Sequence, residues 1–254
     1  MNLDSLLSLA LEASNKASDA ILREKENLNT WKKDDNSPLS SADVAANEII
    51  NEILGKSDIK ICSEESPLSF DVRKNLERFW LVDPLDGTKG FINGSDEYCV
   101  LIALIEKQRP ILALIQKPST KEIFYAHKES PVYKNENILK IDKDKFEKNK
   151  KVALISVHHP NARNKEFLDK NSLTTIKISS ALKFTALLEG EAGLYCRFES
   201  LNSWDIAAGD FLVNQNSGLM LKFDKTFLQY NKESFLCPSF IAVAKKEYLK
   251  EVIL

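Results

Sequence analysis

No two of the four cysteines form a C-x-x-C pair; Cys62, Cys99, Cys196 and Cys237 are scattered along the chain. That excludes a thiolate zinc site or a dithiol redox motif, and it fits reduced thiols in a cytoplasm. Glycine and proline are sparse, eight of each in 254 residues, so long flexible linkers are not expected. Internal repeats and low-complexity segments are absent. An excess of one charge is absent too: 35 bases against 37 acids leave a net charge of −2. This balance predicts no broad attraction to a nucleic acid polymer or a membrane, although a local basic pocket or a peripheral membrane contact is compatible with it. No uninterrupted apolar run is long enough to span a bilayer, so no transmembrane segment is expected. The first residues, with Asp4 and Glu12 and no basic residue before Lys16, lack the charge pattern of a signal peptide.

With 43% hydrophobic residues the chain can bury one large core or two moderate ones. Leu6, Leu7, Ala10, Ala13, Ala17 and Ile21 recur at helical spacing and predict an opening amphipathic helix. A second helix follows in "SADVAANEIINEIL", with Ser40 or Ser41 as its N-cap. "DIKICSEES" reads as a short strand ending in an acidic loop, and "RFWLV" as a buried strand. From Tyr98 to Ala126, apolar runs separated by breakers predict an antiparallel meander. The segment from Lys140 to Lys151 is charged and poor in apolar residues, which makes it the candidate boundary. Beyond it, "VALISV", "LTTIKIS" and "AGLYCRF" read as strands alternating with helices around Phe167, Phe184 and Phe211. The expected division is an N-terminal α+β domain over residues 1–150 and a C-terminal α/β domain over residues 151–254.

The strand "RFWLV" delivers "DPLDGTKGF". Asp-Gly and Pro at a first corner are ordinary turn chemistry, so a structural turn is one reading. The other is a metal site. A proline-bearing turn can aim Asp83 and Asp86 to one side with the Leu85 carbonyl beside them, and Glu64 ends a neighbouring strand. Carboxylates and a carbonyl are ligands for Mg²⁺ or Ca²⁺. An EF-hand loop starting at Asp83 fails at Leu85, Gly87, Thr88 and Gly94, and "GTKGF" is not a P-loop. A phosphatase that forms an aspartyl-phosphate would separate its two aspartates by one residue, where two intervene here. Downstream, "NSWDIAAGDFLV" puts Asp205 in the first turn of a helix, either as an early acid favouring the macrodipole or as a further ligand.

"SEES", "WLVDPLDGTKGF" and "WDIAAGD" together resemble the signatures of the inositol monophosphatase superfamily of Mg²⁺-dependent, lithium-sensitive phosphatases, and within it the CysQ-type 3'(2'),5'-bisphosphate nucleotidases. The resemblance runs from "DDNSPLSSAD" to "ESFLCPSFIAVA". It implies an α/β (α+β) fold, a layered αβαβα sandwich with the site between the two domains. It also implies two or three Mg²⁺ ions held by Glu64, Asp83, the Leu85 carbonyl, Asp86 and Asp205, with Asp83 bridging. Thr88 would orient the attacking water with Asp43 behind it, and Glu64 would share in catalysis. The N–H groups of Gly87 and Thr88 would receive phosphate oxygens. Two departures stand out: Ser40 replaces the family's usual Thr, and Gly90 stands where many bacterial relatives carry glutamate.

The i, i+3 spacing of Ser180 and Lys183 in "ISSALKF" puts them on one helical face, Arg197 ends a strand, and His158 and His159 follow another. Each alone has an ordinary structural explanation. The resemblance implies a nucleotide pocket lined by His159, Ser180, Lys183 and Arg197, beside Glu64, Leu85, Asp86, Gly87, Thr88 and Asp205. The implied activity is removal of the 3'-phosphate from adenosine 3',5'-bisphosphate, a step of sulfur assimilation. The alternatives are an inositol or other sugar-phosphate phosphatase of the same superfamily, or a metal-dependent binding protein without turnover. A small-molecule nucleotide is the expected partner, in the cytoplasm, and a homodimer is compatible with the sequence.

Overall fold

The computed structural model describes residues 1–34, 36–157 and 162–254. The chain opens with α1 (Leu3–Glu24), whose Leu6, Ala10, Ala13, Ala17 and Ile21 are buried along one face. Asn2 caps it, its Oδ1 accepting the Ser5 N–H at 2.8 Å. A small antiparallel pair, β1 (Thr30–Lys32) and β2 (Pro38–Ser40), leads into α2 (Ser41–Leu54). Ser40 is the N-cap of α2, as its sequence predicts, and Asp43 completes a capping box.

The short β3 (Ile61–Ser63) and one-turn α3 (Phe70–Arg73) precede the long β4 (Arg78–Asp86), which lies parallel to β3. After α4 (Thr88–Ile92) come β5 (Cys99–Glu106), β6 (Arg109–Lys117), β7 (Glu122–His127), β8 (Tyr133–Lys134) and β9 (Asn137–Ile138). Among the described residues these strands form a seven-stranded sheet in the order β3-β4-β5-β6-β7-β8-β9, antiparallel from β4 onward. The meander is therefore as expected.

Then follow α5 (Lys143–Asn149), β10 (Val152–Ile155), α6 (Ala162–Lys170), β11 (Thr174–Lys177), α7 (Leu182–Leu188), β12 (Leu194–Arg197), β13 (Leu201–Asn202), α8 (Ser203–Gln215), β14 (Leu219–Lys222), β15 (Leu236–Cys237) and β16 (Phe240–Val243). A second sheet runs β11-β10-β12-β16-β14, parallel on the β10 side and antiparallel around β16.

Alternation along the strands builds the layers. In β4, Trp80 and Val82 join the core beneath α1 and α2. Phe79 and Leu81 point the other way, into a core shared with α7, α8 and the second sheet. The first sheet is thus covered on both faces, which is why β4 to β6 read as nearly unbroken apolar runs. Phe146 of α5 and Phe167 of α6 join the core of the second sheet as well. The result is the layered α/β sandwich that the resemblance implies.

The charged segment around residue 145, the candidate boundary, is helical: Asp142 caps α5, and Phe146 is buried edge-on against Tyr248. One aromatic is enough to dock a two-turn helix. In α8, burial extends over Ile206 to Val213 and is not confined to one face. Wedged between the two sheets, it has little solvent side, and a Cβ at Gly209 would run into the Phe184 ring.

Candidate active site

The parallel strands β3 and β4 end side by side, with Ser63 opposite Val82, and the Glu64 N–H donates to Val82 O at 3.0 Å. Glu64 and Asp83 therefore leave the sheet together. Beyond Asp83 the register against β5 slips: Asp83 pairs with Leu101, and Asp86 with Cys99. Three steps on β4 match two on β5, so one extra residue is accommodated in the "DPLD" stretch, a bulge that tolerates Pro84. The consequence is geometric. Residues three apart on a regular strand face opposite ways, but cross-strand partners share a face, and Leu101 and Cys99 lie in one core. The bulge brings Asp83 and Asp86 to the same side.

The turn is held locally. Asp83 Oδ1 accepts the Leu85 N–H at 3.0 Å. Gly87 has φ +100°, and a Cβ there would come within 2.9 Å of Glu97 O and 3.3 Å of Ser180 Cβ. Both the backbone angle and the close approach demand glycine. Thr88 then starts α4, and its hydroxyl lies 2.8 Å from Asp43 Oδ1 and 2.9 Å from Leu85 O.

Asp43 and Asp205 arrive by the same device. Each is the third residue of its helix and completes a capping box. Asp43 Oδ2 accepts from Ser40 N at 2.8 Å, and Asp205 Oδ2 accepts from Asn202 N at 3.0 Å. Carboxylate oxygens of Glu64, Asp83 and Asp205 all lie within 4.8 Å of one another. Asp86 joins from the bulge, its Oδ2 accepting the N–H of Ala181.

Electrostatics shows what this crowding costs. Burial, reinforced by neighbouring carboxylates, holds the Asp83 and Asp205 carboxyl groups well above the usual range. Asp86 is pushed up to about 6 by burial, with Lys183 and the Ala181 N–H pulling the other way. Asp43 is raised by burial in spite of its bonds from Ser40 and Thr88. Lys33 meets the cluster from outside, its ammonium 2.8 Å from Glu64 Oε1 and 2.7 Å from Glu65 Oε1. Burial lowers the Lys33 pKa, but the two glutamates outweigh it and the net direction is up. Clustered hard oxygens that resist ionisation together are suited to a hard divalent cation, and the Leu85 carbonyl oxygen adds a neutral donor. The residues fit such an ion.

These groups open into a cavity of about 360 Å³, lined from both halves of the chain. Glu64, Asp83, Leu85, Asp86, Gly87 and Thr88 line it from the first half, and Ser180, Lys183, Arg197 and Asp205 from the second. Asp43 stands behind Thr88. His158 and His159 lie outside the described residues. Ser180 and Lys183 do not share a helical face: Ser180 has φ +55° and precedes α7, whose N-cap is Ala181. Left-handed backbone at Ser180 delays the helix. The Lys183 ammonium turns back to donate to Ile178 O at 3.1 Å and Ser180 O at 2.5 Å. Burial lowers its pKa to about 8, with Asp86 opposing. Arg197 is 6% exposed, and its Nε has no hydrogen-bond acceptor. Its ion pair to Glu199 Oε2 is long, at 3.7 Å.

Sequence reasoning missed Lys33, the Ala181 N–H and Glu97, whose Oε2 accepts from Ser179 N at 2.8 Å. None of them carries a motif. They act through contacts between segments far apart in the chain.

A model of the inositol monophosphatase family matches residues 2–253. The chain belongs to the inositol monophosphatase family. The 3'(2'),5'-bisphosphate nucleotidase CysQ of Escherichia coli is 35% identical over 242 residues, covering 92% of this chain and 98% of that protein. A crystal structure of CysQ from Bacteroides thetaiotaomicron, described as a bacterial member of the same family, superposes with a TM-score of 0.83 at 30% identity. That match covers 96% of this chain and 98% of the other. Inositol monophosphatase from Anabaena shares the fold, with a TM-score of 0.77 at 22% identity over 100% of this chain and 98% of that one. Family membership makes this chain a metal-dependent phosphatase with the family's layered α/β fold. Among the described residues no helix is long and apolar enough to cross a membrane.

Proposed function

We propose that the protein is a Mg²⁺-dependent 3'(2'),5'-bisphosphate nucleotidase that hydrolyses adenosine 3',5'-bisphosphate to AMP and phosphate. The observation that carries the nucleotide over an inositol phosphate is Arg197. A guanidinium whose buried Nε has no hydrogen-bond acceptor and only a long ion pair to Glu199, facing a cavity of carboxylates, has room for the bond that a second phosphate would supply. Similarity to the CysQ nucleotidases over nearly the whole chain supports the same reading.

In this reading Glu64, Asp83, the Leu85 carbonyl, Asp86 and Asp205 would hold two or three Mg²⁺ ions. When bound, the ions lower the pKa of water and neutralise charge on the phosphate and on the departing oxygen. The chain's own groups do the rest. Thr88, backed by Asp43, orients the attacking water and offers a route for its proton. The N–H groups of Gly87 and Thr88 receive phosphate oxygens. Water attacks phosphorus in line as its proton passes through Thr88 toward Asp43; the bond to the ribose 3'-oxygen breaks, and that oxygen takes a proton from solvent water in the open cavity. No nucleophilic side chain is required. Ser180 and Arg197 face the ribose and the remaining phosphate, with Lys183 beneath them; the nucleoside contact that the resemblance implies for His159 falls outside the described residues.

The same reading divides the labour at about residue 150: the first part carries most metal ligands, and the second shapes the leaving-group pocket. It places the enzyme in the cytoplasm on a free nucleotide, consistent with four buried free thiols. It also implies inhibition by Li⁺. The test is phosphate release from adenosine 3',5'-bisphosphate, inositol 1-phosphate and fructose 1,6-bisphosphate, with and without Mg²⁺. The nucleotide should give the highest kcat/KM, and only with the metal. A higher value for inositol 1-phosphate would transfer the assignment to the sugar-phosphate branch.

A further inference from the structure

Arg73, the last residue of the one-turn α3, is 1% exposed. The partners of its guanidinium are neutral: Nη1 donates to Asn231 Oδ1 at 3.1 Å and Nη2 to Glu233 O at 2.8 Å, while Nε has no acceptor. Asn231 returns the contact, its Nδ2 donating to Arg73 O at 3.0 Å. The guanidinium carbon also stands 4.1 Å from the centre of the Phe235 ring and 5.2 Å from that of Phe70. Burying a cation on neutral partners is costly, and a helix of four residues has no need of it. What the guanidinium gains is a grip on a segment 158 to 160 residues further along the chain.

Both segments lead to the acidic cavity. Glu64 precedes Arg73 across a short, pinned loop: Ser66 N donates to Ser63 O at 3.2 Å, Leu68 N to Cys62 Sγ at 3.4 Å, and Arg73 N to Ser69 O at 3.1 Å. On the other side, Phe235 and β15 hold the start of α8. Asn202, the N-cap, pairs with Leu236, and the Ser203 hydroxyl donates to Phe235 O at 2.7 Å. The Trp204 ring lies 4.7 Å from the Phe235 ring. Asp205 is the next residue. Each of the three residues before it is thus held by the segment that Arg73 grips, or by the strand that continues that segment.

Glu64, Asp83 and Asp205 put carboxylate oxygens within 4.8 Å of one another, and like charges so close push their carriers apart. Asp83 is anchored within β4, whereas Glu64 follows the end of β3 and Asp205 lies in the first turn of α8. A tie between the segments that carry those two opposes their spreading without touching the ion. We infer that Arg73 is a positioning residue that keeps Glu64 and Asp205 at ion-binding separation, acting through Asn231, Glu233 and Phe235. This rests on the metal-site reading above. It gives the buried guanidinium a purpose at a site that it does not itself reach.

The experiment titrates Mg²⁺ calorimetrically into the metal-free parent, Arg73→Met, Asn231→Ala, the double variant and Leu6→Ala, well below the Tm of each. The Mg²⁺ dependence of adenosine 3',5'-bisphosphate turnover is recorded alongside. Leu6 is buried in the core under α1, so its variant reports what loss of stability alone does. Arg73→Met should weaken Mg²⁺ binding about threefold or more, the size expected of coupling through packed and hydrogen-bonded neighbours. Asn231→Ala should weaken it in the same direction, and it decides the matter should Arg73→Met not fold. The double variant should bind about as weakly as Arg73→Met alone. The Mg²⁺ concentration for half-maximal turnover should rise with the dissociation constant, while kcat at saturating Mg²⁺ changes much less. Leu6→Ala should lower Tm with parental Mg²⁺ affinity. Parental affinity in Arg73→Met and Asn231→Ala overturns the inference and leaves the metal-site reading intact, and so does an equal loss of affinity in Leu6→Ala. A parent that binds no Mg²⁺ removes the metal-site reading and the inference with it.

Discussion

The Thr88 hydroxyl reaches Asp43 Oδ1 at 2.8 Å, joining residues 45 positions apart at the foot of the acidic cavity. One hydroxyl carries one proton, so it can donate to Asp43 or to Leu85 O at 2.9 Å, but not to both at once. Asp43 is meanwhile fixed by Ser40 N and Ser40 Oγ on its other oxygen. Asp43→Asn keeps the shape but turns an acceptor into a donor. Turnover should fall roughly 10²–10⁴-fold in Asp43→Asn and in Thr88→Ala, the range for loss of positioned proton transfer. The double variant should be little worse than either single one. Steady-state kcat at saturating Mg²⁺ checks this, and fully additive losses would show that the two residues act apart.

Asp83, Asp86 and Asp205 should behave as one metal-holding unit. Mg²⁺ should raise the parent Tm and leave Asp83→Asn and Asp205→Asn nearly unmoved, with turnover lost in both. A parental Mg²⁺-induced rise in either variant contradicts the assignment.

The raised carboxyl pKa values also fix a pH signature. Asp86 goes from an ordinary carboxylate value to about 6 on folding, so the folded chain binds the extra proton. That contribution is full below about pH 4 and is lost as pH rises through 6. In metal-free protein, Asp86→Asn should therefore gain Tm relative to the parent as pH rises from about 4 to 6. A difference that stays flat or shrinks over that window counts against burial as the cause.

Lys33 already pairs with Glu64 at 2.8 Å, so under the proposed function it should compete with a metal for that carboxylate. Lys33→Met frees Glu64 and leaves the cluster more negative, so Mg²⁺ titrated into the metal-free variant should bind several-fold more tightly than to the parent. Calorimetry measures this directly. Weaker binding would mean that Lys33 arranges Glu64 for the ion and does not block it.

Away from the site, Arg109 holds the fully buried Asp210 through Nη1 and Nη2 at 2.6 and 3.0 Å, and Tyr230 adds its hydroxyl at 2.6 Å. Arg109→Met leaves that carboxylate without its countercharge and should cost about 3–5 kcal/mol in urea unfolding. A cost below about 1 kcal/mol would mean that Tyr230 and Asn214 suffice.

Much of this was readable before any coordinates. The spacing of Leu6 to Ile21 announced α1, Ser40 announced the cap of α2, and the breakers between Tyr98 and Ala126 separated the meander strands. The clustered carboxylates were legible because each sits at the end of an element, next to residues that fix the backbone locally. What stayed hidden depends on partners far along the chain. Lys33 lies in an unremarkable polar loop 31 residues before Glu64. Arg109 and Asp210 are 101 residues apart, and neither is marked as a pair. The left-handed Ser180 could not be read from "ISSALKF", since serine gives no sign of the φ it will adopt. Phe146 looked like a stray aromatic in a charged run until Tyr248 supplied its partner.

Asp205 belongs to a helix, α8, that docks across β4, β5 and β6 from far downstream in the chain. The meander it lands on is made of neighbouring hairpins, whose short loops close quickly. Asp83 and Asp86, both on β4, can therefore be in place while Asp205 is still distant. The repulsion from Asp205 is added when α8 seats, late on the folding route. Interactions absent from the transition state act on the rate of leaving the native state, not on the rate of reaching it. Mg²⁺ should then leave the refolding limb of a chevron almost unchanged and slow the unfolding limb. For this protein, the ion acts as a latch that closes behind the last helix to arrive.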